Sequence, residues 1–313
     1  MTQHKNDVAR TYALWEAWER MHQDPPRLLY HYTSAEGLLG MLEGHQLWAT
    51  NVRFMNDTTE LGYGIGLVRE VLQEPATGRA PRRAASRRVT RQNREDILAM
   101  LADTEANTKH FAVCFCENGD LLSQWRGYGA LGSGFAVGLH GKKLCDFTAP
   151  FLPGAPPNLG VILRRVIYDT RIQKSLVRKW IKCVDGGVSA QAAFPILRML
   201  YECLVCFKDP GFREEREWRL IQQGRVGGDD ICKESFRARE GRIVTYLPLS
   251  FPSRPETSSA RKPAGSNFPV AAITYGPTVD DEAAGHALRA LVKHHGFDPR
   301  KLTVKSSVIP FST

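Results

Sequence analysis

Strand-length apolar runs and helix-length apolar periods follow one another in this chain without strict alternation, and that order constrains the fold most. Arg27–Thr33, Leu47–Thr50, His110–Cys116, Gly134–Leu139, Val161–Tyr168, Glu217–Gln222, Arg242–Leu249, Val270–Tyr275 and Leu302–Ile309 read as strands. Helical spacing recurs over about residues 7–22, Ala35–Glu43, the stretch through Leu67, Val68 and Val71, about 95–102, 172–184, 190–206 and Asp280–His294. A doubly wound parallel sheet needs regular strand–helix alternation, so the order predicts an α+β fold with mixed, mostly antiparallel sheets and flanking helices. Local punctuation agrees. Asp24-Pro25-Pro26 closes the first helix, Ser34 is placed to cap the second, and Gly44 to end it. Asn56-Asp57-Thr58 is placed to cap the third. Gly127, Gly129, Gly132 and Gly134 could suggest a dinucleotide loop. They lead into the strand-like Phe135–Leu139 and not into a helix, which excludes the Rossmann reading and leaves a tight turn.

Across the 313 residues, 42% are hydrophobic and 24% charged, enough to bury a substantial core. No apolar run approaches the ~20 residues that span a bilayer. The first residues lack the apolar core of a signal peptide, so a cytoplasmic protein is expected, with no membrane partner. The expected organisation is an N-terminal helix within 1–26 and one α+β domain over 27–313, interrupted by a basic segment at about 77–94. Cys203 and Cys206 form a lone Cys-x-x-Cys in a helical run. Without a second pair or spaced histidines they read as packed thiols, not as metal ligands.

The net charge of +9 is partly concentrated in the basic segment, where Arg82, Arg83, Arg87 and Arg88 are the candidate nucleic-acid contacts. A solvated loop without a specific partner fits the same composition.

Two constellations could carry chemistry. His31 stands on a short strand before Tyr32 and Thr33, with a helix following, which puts a hydrogen-bonding pair at the mouth of a cleft able to grip a ribose diol or an amide. A histidine tying strands together is the alternative. Glu214-Glu215-Arg216-Glu217-Trp218-Arg219 sets carboxylates beside arginines at the start of an apolar strand. Fixed anions there could stabilise a developing cation, with Glu217 the first choice and Glu215 the second. A surface salt-bridge cluster would look the same in sequence. Trp125 and Tyr128 fit either a core or a stacking platform.

Taken as a set, Leu29–Thr33, Leu47–Thr50 with Asn56-Asp57 and Glu60, Cys114-Phe115 with Asp120-Leu121 and Trp125, Phe207-Lys208 with Glu215–Arg219, Tyr275–Pro277 and Ser307–Pro310 resemble a bacterial family known as domain of unknown function 2971. The resemblance spans about residues 28–311. More distantly, His31-Tyr32-Thr33 followed by Leu38, Leu42, Gly44 and Leu47 resembles the opening of ADP-ribosyltransferases of the His-Tyr-Glu type. That resemblance implies a split ADP-ribosyltransferase-like core with NAD as substrate. His31 would bind the nicotinamide ribose, Thr33 would place the amide and Glu217 would be the catalytic glutamate, with Glu215 beside it. Tyr63 would be the tyrosine that stacks on nicotinamide. Tyr32 stands where the family commonly has Gly, which would narrow the pocket. The implied activity is transfer of ADP-ribose to an acceptor, nucleic acid being one candidate, or to water as an NAD glycohydrolase. The competing class is a non-enzymatic nucleic-acid-binding module.

Overall fold

The computed structural model describes residues 13–14, 16–55, 59–74, 95–99, 101–102, 108–148, 161–185, 200–225, 234–239, 241–251, 268–279 and 281–310. The basic segment with Arg82, Arg83, Arg87 and Arg88, and the Asn56–Thr58 cap, lie outside these residues. The named strands are β1 (Leu28–Thr33), β2 (Gln46–Asn51), β3 (Thr108–Cys116), β4 (Phe135–His140), β5 (Val161–Arg165), β6 (Glu217–Arg225), β7 (Ser235–Arg239), β8 (Arg242–Ser250), β9 (Val270–Tyr275) and β10 (Thr303–Ser306). The named helices are α1 (Ala35–Gly44), α2 (Thr59–Gln73), α3 (Leu122–Gly127), α4 (Gly141–Phe147), α5 (Thr170–Asp185) and α6 (Asp281–His294).

The strands form one open sheet in the order β10-β9-β4-β1-β3-β2-β8-β7, with β6 and then β5 branching from β3. Every pair of named strands is antiparallel except β9 with β10. The architecture is therefore α+β with a mostly antiparallel sheet, as the irregular order of elements predicts.

The branch at β3 is what creates a site. One edge of β3 pairs with β6 along its whole length, from Thr108 opposite Arg225 to Cys116 opposite Glu217. The other edge is shared. It meets β1 at Tyr30 opposite Cys116, and β2 at Thr50 opposite Ala112 and Asn51 opposite Phe111. Between these contacts the arms carrying β1 and β2 part, and the Cys114 carbonyl loses its place in a ladder. A buried carbonyl needs a donor, and the His31 side chain supplies it, Nδ1 lying 2.9 Å from the oxygen.

The pleat sorts β3 between two cores. Phe111, Val113 and Phe115 pack with Leu29, Leu42, Trp218 and Leu220 on one face. Ala112 on the other face joins Val177, Trp180, Leu204 and Ile221. Each such large apolar side chain contributes about 1.5–3 kcal/mol by burial. Cys203 and Cys206 are buried in this second core, and burial pushes both thiols up.

Several boundaries differ from the sequence reading. The Ser34 hydroxyl accepts from the Gly37 amide at 3.3 Å, as a cap should. The left-handed position ending α1 is taken by His45 at φ 47°, not by Gly44. His45 tolerates it because its ring stacks on Phe268 at 6.4 Å and its Nε2 lies 3.2 Å from the His295 carbonyl. The strand expected over Val161–Tyr168 stops at Arg165, leaving an isolated bridge between Ile167 and Phe207. Helices α3 and α4 and strand β7 are too short, or too polar, to have shown in the sequence pattern. Among the described residues, no helix is long and apolar enough to cross a membrane.

Candidate functional site

A cleft of about 350 Å³, counting space open to solvent, lies where β1 and β2 part. Its walls come from four places: His31 and Tyr32 on β1, Cys114 to Cys116 on β3, Gln124 in α3 with Tyr128 just after it, and Glu215 just before β6 with Glu217 at its first position. His31 and Glu217, far apart in sequence, therefore face one cavity.

The carboxylate wall is built by a turn. Asp209 accepts from the Gly211 amide at 2.8 Å and Pro210 takes the first position of a 3-10 helix over Pro210–Glu215. Arg216, in the left-handed region at φ 43° and ψ 52°, stops that helix and turns the chain into β6. Glu215 and Glu217 thereby reach the same cleft. Lys208 Nζ donates to Glu215 Oε2 at 2.7 Å and to Glu217 Oε2 at 3.3 Å. Arg219 grips both oxygens of Glu217, with Nε to Oε1 at 2.7 Å and Nη2 to Oε2 at 2.8 Å. The Glu217 amide donates to the Tyr168 hydroxyl at 3.0 Å.

Lys208 and Arg219 are each 2% exposed and do not line the cavity, whereas both glutamates do. The arrangement is a buried ion-pair layer whose negative side faces the cleft. Burial alone would raise the Glu217 carboxyl, but Arg219 and Lys208 outweigh it and hold it well below the usual carboxylate range.

His31 has the opposite problem. Burial pushes it down from 6.5 to about 4, against the upward pull of the Cys114 carbonyl, and Arg237 and Arg239 add to the fall. The ring is therefore neutral near pH 7. A carbonyl oxygen can only accept, so the proton sits on Nδ1 and Nε2 is left as an acceptor. Gln124 is 7% exposed and lines the cleft. No hydrogen bond to its side-chain amide is formed among the described residues, so both its donor and acceptor are available.

Residues 124–220 match the family Protein of unknown function (DUF2971). The match covers a little under a third of the 313-residue chain and runs from Gln124 to Leu220, so it contains the end of α3, β4, β5 and the turn that presents Glu215 and Glu217. No curated protein and no solved structure matches the chain.

The remaining sequence candidates fall in different places. Tyr32 lines the cleft, but its hydroxyl is committed: it donates to the Asn118 carbonyl at 3.0 Å and accepts from the Leu121 amide at 3.0 Å. Its ring packs edge-on against Trp125 at 4.8 Å. Thr33 does not line the cavity; its hydroxyl faces the spot where Gly37 lacks a Cβ. Tyr63 is also absent from the cavity wall. Its hydroxyl donates to Gln173 Oε1 at 2.9 Å, and Gln173 Nε2 holds the carbonyls of Ile167 and Lys208 at 2.6 and 2.9 Å. Tyr63 thus props the backbone of Lys208 from behind, and the tyrosines at the cleft are Tyr32 and Tyr128. Asp120 and Trp125 are accounted for structurally: Trp125 Nε1 and Ser307 Oγ donate to Asp120 Oδ1 at 2.8 and 2.6 Å, tying the C-terminal segment down. Lys208, Gln124 and Arg219 carry little signal of their own in the sequence. Lys208 and Arg219 stand beside charged neighbours that look like a surface cluster, and only burial separates them from one.

Proposed function

We propose that the cleft binds the nicotinamide–ribose part of NAD and that the protein breaks its N-glycosidic bond, passing ADP-ribose to an acceptor. The observation that carries this reading is the meeting of a neutral His31 and an ionised Glu217 across one small cavity. As the bond to nicotinamide breaks, positive charge develops on the ribose. The negative side of the Glu215–Glu217 layer, fixed by Lys208 and Arg219, is preorganised to stabilise it without rearrangement. His31 Nε2 can accept from a ribose hydroxyl, and Gln124 can pair with the carboxamide of the leaving base. Tyr128 takes over the stacking role expected of Tyr63.

The test is incubation with NAD and measurement of free nicotinamide, with and without DNA or RNA as acceptor. Release that depends on Glu217 supports the reading. Absence of both release and NAD binding, together with nucleic-acid binding that weakens steeply with salt, would favour the non-enzymatic module instead.

A further inference from the structure

The arm that parts from β1 carries an arginine whose charge no carboxylate among the described residues neutralises. Thr50 on β2 pairs with Tyr246 on β8, and Val244 on β8 with Arg237 on β7, so Thr50, Tyr246 and Arg237 share a face. The Arg237 guanidinium lies 5.2 Å from the Trp48 ring centre and 5.6 Å from that of Tyr246, and its Nη2 donates to Thr50 Oγ1 at 2.7 Å. Trp48 is itself wedged against Gly40 of α1, where an added Cβ would come within 2.2 Å of the indole. The platform is therefore fixed on both sides.

Cation–π contact explains why Arg237 rests there. It does not explain the rest. Among the described residues no carboxylate stands within ion-pairing distance of Arg237, and the charged group bearing on it is another cation, Arg239. Two buried N–H donors, Arg237 Nε and Trp48 Nε1, have no acceptor among the described residues. Leaving a partly buried cation unpaired is costly, and an anion meeting the accessible part of the Arg237 side chain would offset that cost. The shelf is also close to the cleft, near enough for Arg237 and Arg239 to act electrostatically on the His31 ring.

We infer that the Trp48–Tyr246–Arg237 shelf is a phosphate subsite that takes the phosphoanhydride of a nucleotide, across the gap from His31. The ligand's identity rests on the NAD reading above: with the nicotinamide ribose between His31 and Glu217, the diphosphate leaves the cleft towards this shelf. Arginine suits the task because its planar fork meets two phosphate oxygens at once, and the aromatic rings hold the fork flat before the ligand arrives.

The experiment is calorimetric titration of the full chain with ADP, inorganic pyrophosphate and adenosine, for wild type, Arg237→Gln and Arg237→Lys. ADP and pyrophosphate bind wild type, and Arg237→Gln weakens both by about tenfold or more. Arg237→Lys falls between, since a point charge cannot reproduce the fork. Without ligand, Arg237→Gln loses its ring contacts and melts slightly lower than wild type, so the titrations are run well below both melting transitions, which separates lost binding from lost folding. Equal ADP affinity in wild type and Arg237→Gln, or no binding of ADP and pyrophosphate by wild type, overturns the subsite. So does a single-stranded oligonucleotide that depends on Arg237 more strongly than ADP does. The two readings fail separately. Arg237-dependent ADP binding without any nicotinamide release keeps the subsite and removes the NAD reading. Nicotinamide release with an unchanged KM in Arg237→Gln does the reverse.

Discussion

Two buried ionic clusters sit side by side on one face of the sheet, built on strands that pair with Arg164 directly opposite Arg219. Around Arg219 are Glu217, Lys208 and Glu215. Around Arg164 are Glu202, at 2.6 Å, and Glu19, with Trp18 Nε1 also donating to Glu202 at 2.8 Å. The chemistry is nearly the same and the setting is not. Glu19 and Trp18 belong to the N-terminal helical stretch, which covers the Arg164 cluster, and Trp18 is fully buried. Among the described residues no helix covers the carboxylates of the Arg219 cluster in this way, and they line the cavity. A buried ion pair is weak support for stability in itself, because desolvation offsets most of the attraction. What distinguishes the two is whether the negative side meets protein or an open cleft.

The sharpest way to break that comparison is to neutralise one glutamate in each cluster. Glu217→Gln keeps the shape and removes the charge that faces the cleft, and on the proposed function nicotinamide release is expected to fall about 10²–10³-fold. Glu217→Asp, which keeps the charge but retracts it, is expected to fold and to be slow, which guards against mistaking unfolding for lost chemistry. Glu202→Gln removes one of the two carboxylates that hold Arg164, leaving Glu19, and should cost about 1–3 kcal/mol in urea unfolding. Turnover per folded molecule should stay at the wild-type level. If Glu202→Gln lost turnover without losing stability, the division between a structural and a chemical cluster would collapse.

The next effect is on pH. His22 is held down to about 3 by burial and by the charges of Arg164 and Arg165, and His31 is held at about 4. Both are below 6.5, so between pH 6.5 and those values the unfolded chain binds more protons than the folded one. Stability is then full above pH 6.5 and falls as the pH drops through that window. Glu217 acts in the same direction lower down, its contribution being lost as the pH falls through its depressed value. Urea midpoints at pH 7 and pH 5 should differ accordingly, and His22→Gln should shrink the difference while leaving nicotinamide release intact. A pH-independent midpoint would contradict the buried, neutral state of both rings.

The smallest effect separates Tyr63 from Tyr128. Tyr63→Phe removes one part-buried hydrogen bond to Gln173 and should lower stability by ~1 kcal/mol. Its KM for NAD should not change, whereas Tyr128→Ala should raise KM. Reversal of the two would restore Tyr63 to the stacking role.

The sequence made some of this legible and hid the rest for physical reasons. His31 and Glu217 stood out because a polar residue within an apolar strand pattern demands an explanation, and both reach the cleft. The branch at β3 was hidden, because a single strand that pairs with three others leaves no mark on its own apolar alternation. Tyr63 lies away from the cleft wall, and its position on α2 gives no sign in the sequence that its hydroxyl meets Gln173 of α5. Arg237 was invisible, since β7 reads Ser-Phe-Arg-Ala-Arg and looks like any polar edge strand. Only the arrangement of Trp48, Thr50 and Tyr246 across two neighbouring strands gives it a role.

The measurement that bears most directly on the central claim is nicotinamide release from NAD by wild type, Glu217→Gln and Glu202→Gln, each normalised to folded protein. The expected result is release by wild type and Glu202→Gln and a loss of at least about a hundredfold in Glu217→Gln. Equal release by all three, or none from folded wild type under any acceptor condition, would contradict the account.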